Sequence, residues 1–232
     1  MYGPWDAPLE LQQSLLDDDD PPPVESVTPP VFVMADADDP DAAFRYACAY
    51  AAQAMVLDEC CETLLAAVGF ADPANRWLVS LIGARGYPLG EHRRVGGIDP
   101  RLYGEQLHVP WLIRFPDNAG RLGRSGQLTS HTDLPPSLLD FASGTSVRAL
   151  TATAHSPWRD ALLATSAAGH RAIRTAEWCL RQKTNSQSDQ IATELFVRPD
   201  DRWETNDVAK LCSEVVETLT NTLNDALPTS SG

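Results

Sequence analysis

Lysine is almost absent from this 232-residue chain: Lys183 and Lys210 are the only two. Positive charge of any kind is scarce, with 18 Lys+Arg against 32 Asp+Glu and a formal net charge of -14. That balance excludes a polyanion-binding surface of the usual kind, so neither nucleic acid nor an anionic membrane is an expected partner. No apolar run approaches the ~18 residues of a membrane helix. The start, MYGPWDAPLELQ, has no basic region and no apolar h-region, so no signal peptide is read and a cytoplasmic location is the default expectation. The cysteines are Cys48, Cys60, Cys61, Cys179 and Cys212. Their number is odd and no CxxC or His/Cys ligand spacing occurs, which argues against a disulfide scaffold. Cys48 and Cys61 read as reduced core residues. No internal repeat is present.

Hydrophobic content of 43% and charged content of 22% are those of an ordinary globular protein. The length permits one or two domains with a real core. The acidic runs Asp17–Asp20 and Asp36–Asp41 read as solvated loops rather than metal sites. Prolines at 21–23 and 29–30 make residues 1–38 an irregular segment, although Leu9–Leu16 and Val31–Met34 are apolar enough to dock on a core.

A long helix is expected over 40–68, with Asp39 as N-cap, Pro40 in the first turn and Gly69 as the stop. Phe44, Cys48, Ala51, Met55, Cys61, Leu65 and Val68 recur at helical spacing and predict one buried stripe. Asp58 falls near it and reads as a buried carboxylate held by hydrogen bonds. Trp77–Ile82 and Val109–Phe115 are continuous apolar runs of strand length, as in strands covered on both faces. A helix with two such strands points to a layered α/β sheet. Asp133, followed by Pro135 and Pro136, reads as the cap of a further helix. Beyond Ser146 short strand-like runs follow, at Ala161–Thr165, Arg171–Thr175, Trp178–Arg181 and Glu194–Val197. A last helix capped by Asn206 or Asp207 would bury Val208, Leu211, Val215, Leu219 and Leu223.

The two apolar runs flank a glycine-rich loop, Gly83-Ala84-Arg85-Gly86, then Tyr87-Pro88-Leu89, then Gly90-Glu91-His92. Tyr103-x-Glu105-x-x-His108-Val109-Pro110, the Asp133-Leu-Pro-Pro helix, Ile173-Arg174-Thr175-x-x-Trp178 and Glu194–Asp200 with Glu204-Thr205-Asn206 follow in order. No one of these is specific alone; their order and spacing resemble the sulfatase family of the alkaline-phosphatase-like superfamily, over about residues 40–210. The resemblance implies an incomplete α/β/α sandwich followed by a small α+β subdomain with an antiparallel sheet and a C-terminal helix. The expected organisation is an irregular acidic segment at 1–38, the C-terminal part of the α/β domain at 39–145, the small subdomain at 146–226 and a tail at 227–232. The N-terminal run also resembles the interior of a sulfatase, so the chain reads as truncated and as lacking an N-terminal half.

In that family the loop reads Ser-Asp-His-Gly, and the Asp and His belong to the site of a divalent metal, typically calcium. The nucleophile is a formylglycine made in a Cys/Ser-x-Pro-x-Arg motif. Here Ala84 and Arg85 stand at the ligand positions, and alanine has no donor atom while arginine is a permanent cation. No cysteine or serine lies in the nucleophile motif, and Val95-Gly96-Gly97 stands where a lysine contacting sulfate is expected. The expectation is therefore a truncated sulfatase-like pseudoenzyme, of sulfuric-ester-hydrolase lineage, with no catalytic residues and no metal or other cofactor. Arg85, Glu91 and His92 are the candidates for a remnant anion or substrate loop, against bland readings as solvated or structural loop residues. Two alternatives stay open. One is a non-catalytic interaction protein, self-associating through unpaired strand edges. The other is a sulfatase C-terminal half completed by a separately encoded N-terminal half.

Overall fold

A computed structural model describes residues 3–35, 41–72, 76–116, 121–144, 160–184 and 191–226. Asp39, Pro40, the change of character at Ser146 and the tail at 227–232 lie outside the described residues. The chain divides into two units, Met1–Ile98 with Glu105–Asp117, and Asp99–Gly104 with Asn118–Gly232. Among the described residues no helix is long and apolar enough to cross a membrane.

The first unit is built around helix α2, Asp41–Ala67, preceded by the short α1, Leu9–Gln13. Gly69 ends α2 as expected: its φ is +66°, and Phe70 N–H donates to the Leu65 carbonyl at 3.0 Å while Gly69 N–H donates to Ala66. The buried face differs from the predicted stripe. Cys48, Ala49 and Ala52 are buried, whereas Phe44, Met55 and Val68 are exposed and Cys61 and Leu65 half-buried. Asp58 is exposed as well, so it needs no buried hydrogen-bond partners. The cause is the N-terminal segment. Trp5 is 3% exposed and packs with Val24 and Ala49 inside a ring of Tyr46, Tyr50 and Tyr87, which selects the small-residue face of α2. Leu9–Leu16 and Val31–Met34 do contribute structure, as α1 and as strand β1, Phe32–Val33.

Strand β2, Val79–Ile82, precedes the glycine-rich loop. The loop contains β3, Arg94–Val95, which pairs antiparallel with β1. After the one-turn helix α3, Gly104–Leu107, strand β4, Trp111–Arg114, returns antiparallel to β2. The two predicted strands thus exist, and among the described residues they pair with each other as an antiparallel ribbon. Their leucines at 81 and 112 are exposed and their other residues are half-buried. A continuous apolar run reports that both faces are apolar, not that this chain supplies the cover.

In the second unit α4, Leu134–Ala142, begins with Pro135 and Pro136. Asp133 closes a capping box over the preceding turn: its carboxylate accepts from Ser130 N–H at 2.8 Å, while the Ser130 hydroxyl accepts from Thr132 N–H. Asp133 also stands at the N-cap of α4, as expected, but without a side-chain hydrogen bond to that helix. Four antiparallel strands follow in sequence order, β5 Leu162–Thr165, β6 Arg171–Arg174, β7 Trp178–Thr184 and β8 Ile191–Val197. The register aligns Ile173, Leu180 and Leu195 on one face, each fully buried beneath Leu219 and Leu223 of helix α5, Ser213–Ala226. That helix begins later than expected. Asp207 instead accepts from Leu195 N–H and Ala209 N–H, both at 2.9 Å, and Leu211 is 83% exposed.

Candidate functional site

The glycine-rich loop leaves β2 with its ladder still intact, since Gly83 N–H donates to the Pro110 carbonyl at 2.9 Å. Ala84 is exposed and offers no donor or acceptor beyond its backbone. Arg85 is half-buried, and its Nη1 donates to the Gly97 carbonyl at 3.1 Å. The guanidinium therefore ties the start of the loop to its end. Gly86 explains the next step: its N–H donates to the Gln106 carbonyl, and a Cβ there would lie 1.7 Å from the Glu105 carbonyl oxygen. Only glycine permits that approach.

Tyr87 anchors the loop to the core. Its hydroxyl donates to the Pro30 carbonyl at 2.5 Å, and its ring lies 5.1 Å from Trp5 and 5.8 Å from Tyr50 between centroids. Burial pushes the phenol up to about 12, against the lowering influence of the Arg85 charge. Glu91 turns back on the loop, accepting from Leu89 N–H at 2.6 Å. His92 has a left-handed backbone, φ 48°, and its Nδ1 lies 3.0 Å from Glu105 Oε1. An ionised carboxylate can only accept, so this contact selects the imidazole tautomer with its proton on Nδ1. Both side chains are largely buried, at 15% and 11% exposure.

The candidates Arg85, Glu91 and His92 are thus each engaged inside the loop region, with Gly97, Leu89 and Glu105 respectively. The sequence alone does not single out Tyr87 or Glu105. Glu105 stood in plain view within the Tyr-x-Glu-x-x-His-Val-Pro run, but its partner is set by folding across the loop.

A divalent metal does not fit these residues. A hard cation needs several oxygen ligands. Of the two positions where the resemblance places ligands, Ala84 has no side-chain donor atom and Arg85 is a cation hydrogen-bonded to the Gly97 carbonyl. Among the described residues no group of three or more His, Cys, Asp or Glu side chains is placed to hold a metal. The five cysteines are free thiols. The arrangement supplies a fixed positive charge, on Arg85, and an imidazole, on His92, set beside the Glu105 carboxylate.

The family model described as Sulfatase matches residues 16–145. No curated protein matches. The chain is similar in fold to BT4656, solved in complex with its substrate D-glucosamine-2-N,6-O-disulfate, with TM-score 0.63 and 24% identity over 85% of this chain and 45% of that one. It is similar to the putative sulfatase yidJ from Bacteroides fragilis, with TM-score 0.65 and 21% identity over 84% and 45%. The phosphonate monoester hydrolase of Agrobacterium radiobacter gives TM-score 0.65 and 18% identity over 80% and 42%. The chain therefore spans less than half the length of these solved structures.

Proposed function

The chain belongs to the sulfatase family, and we propose that, as it stands, it does not hydrolyse sulfate esters. The observation that carries this reading is the Arg85 guanidinium, bonded to the Gly97 carbonyl at a position where the family resemblance places a metal ligand. Sulfuryl transfer builds negative charge on the transferring group and its leaving oxygen, and a metal cation both offsets that charge and orients the nucleophile. An arginine can offset charge, but it cannot ligate or activate an oxygen nucleophile. His92 is oriented by Glu105, yet a general base contributes only with a group to deprotonate, and no formylglycine precursor motif is present to supply one. The chain is then a family member that retains the loop frame and has replaced its ionic centre by an internal tie.

The test is direct. The purified chain, co-expressed with a formylglycine-generating enzyme, is assayed on an aryl sulfate. No turnover above the vector control is expected. Turnover that follows the protein through successive columns, and persists after contaminating sulfatase has been removed, overturns the reading.

A further inference from the structure

The four-stranded sheet of the second unit has an arginine-rich face. Ile173, Leu180 and Leu195 pack with α5. Alternation along the strands therefore sends Arg174, Cys179, Arg181 and Phe196 to the other side, where the register sets Arg174 beside Cys179 and Cys179 beside Phe196. Arg198 extends that row, its N–H donating to the Glu177 carbonyl at 2.7 Å. The charges on this face do not balance. Arg181 and Arg198 share the buried Glu204, and Glu194 is divided between Arg181 and Lys183. Four cations, counting Arg174, thus meet two carboxylates. Arg174 is the cation left over: it is half-buried, and among the described residues no carboxylate stands within ion-pair distance of it. Burial disfavours its charge first and the Arg198 charge second, and Glu204 offsets less than either. The Nε of Arg198 is buried without a hydrogen-bond partner, although the Arg198 side chain is only 4% exposed. A buried donor left without an acceptor is costly. This surplus of positive charge stands in a chain of formal net charge -14.

We propose that Arg174 and the unpartnered Nε–H of Arg198 hold a tetrahedral dianion, sulfate or phosphate, free or as the head of an ester. The planar guanidinium fork matches the oxygens of such an anion and is weakly hydrated, so it gives up water readily for that contact. A dianion balances the two surplus charges, whereas a carboxylate leaves one unpaired. Cys179, next to Arg174 in the ladder, does not compete. Burial holds its thiol up to about 12, so it carries no negative charge at neutral pH. Glu204 already has its oxygens engaged by Arg198, Arg181 and Gly104 N–H, and so cannot swing across to pair Arg174 without giving up those contacts. The site belongs to the second unit, while Arg85, Glu91 and His92 belong to the first. Binding there breaks no bond, and the inference stands whether or not the chain hydrolyses sulfate esters.

The probe is inorganic phosphate, titrated into the full 232-residue chain at an ionic strength held constant with sodium chloride, with the arginine Nε–Hε signals followed by NMR. The Arg174 and Arg198 signals should shift together and saturate, with a dissociation constant of roughly 1 mM or below. Arg174→Gln should weaken binding at least ~10-fold, since one charge-assisted fork is lost. Arg121→Gln, at an exposed position of the same unit, should leave it unchanged. Sulfate should compete with phosphate, and acetate should not. Methyl phosphate separates the two sources of the anion: tighter binding than phosphate assigns the site to an esterified headgroup, weaker binding to the free ion. Shifts that never saturate, shifts confined to other arginines, acetate binding as well as phosphate, or undiminished affinity in Arg174→Gln overturns the proposal. Should Arg174→Gln fail to fold, the paired shifts of Arg174 and Arg198 in the unaltered chain decide.

Discussion

Replacing Glu204 by glutamine should cost the second unit about 3 kcal/mol, and the reason is the company this carboxylate keeps. Its side chain is 1% exposed. Arg198 Nη2 donates to Oε1 at 3.0 Å, and Arg181 Nη1 lies 3.1 Å from Oε2 as an ion-pair contact. Gly104 N–H donates to Oε2 at 3.2 Å. Arg181 is itself buried, stacked 3.8 Å over the Tyr103 ring and 4.6 Å over Phe196, with Glu194 as its other anionic partner. Glutamine keeps the volume and one acceptor, but removes the charge and turns an NH₂ group toward guanidinium donors. Losing one partner of a buried ion pair typically costs about 3–5 kcal/mol, because the remaining charge stays desolvated; Glu194 and the Tyr103 and Phe196 faces, which Arg181 keeps, place this case at the lower end. Urea denaturation followed by far-UV circular dichroism measures it, and a thermal melt should show a melting temperature lowered by roughly 10 °C. Glu217→Gln, exposed on α5, should change stability by less than ~0.5 kcal/mol. A Glu204→Gln cost below about 1 kcal/mol would show that the network is hydrated and that the buried-pair argument is wrong.

Two further predictions concern ionisation. Burial, with Glu204 adding to it, pushes the Cys179 thiol up to about 12. Cys60 is exposed. Iodoacetamide at pH 8 should therefore modify Cys60 and spare Cys179 in the folded chain, and equal labelling of the two would refute the assignment. Tyr87 holds its proton up to about 12 when folded, against about 10 when unfolded. Its contribution is fully present below about pH 10 and is lost as pH rises through the folded value. The stability of the first unit should fall between those limits, and Tyr87→Phe should flatten that fall; an unchanged slope in the variant would exclude Tyr87 as the cause.

Much of the second unit was legible because its strands alternate and its turns break them, so all four strands were located to within a few residues. The ionic layer beneath the sheet was not legible. Arg181, Arg198 and Glu204 look like ordinary surface residues until pairing at Arg181↔Glu194 and the left-handed backbone at Glu204 bring them inside. In the first unit Gly69 signalled the end of α2 through its backbone requirement. The buried face of α2 escaped, because the stripe of large side chains is not the face that Trp5 selects from more than 40 residues away. Apolar runs located β2 and β4 but carried no information on pairing direction. Ala84 and Arg85 could be read directly, as residue chemistry alone disqualifies them as ligands. The ties that hold the loop, Arg85 to Gly97 and His92 to Glu105, depend on the turn geometry of several left-handed residues.

Isothermal titration of the purified chain with calcium, then magnesium, asks whether an internal arginine tie stands in this loop in place of a metal centre. Heats indistinguishable from dilution are expected for the native chain and for Arg85→Ala alike, since removing the arginine leaves no ligands in its place. A stoichiometric site of micromolar affinity would contradict that expectation.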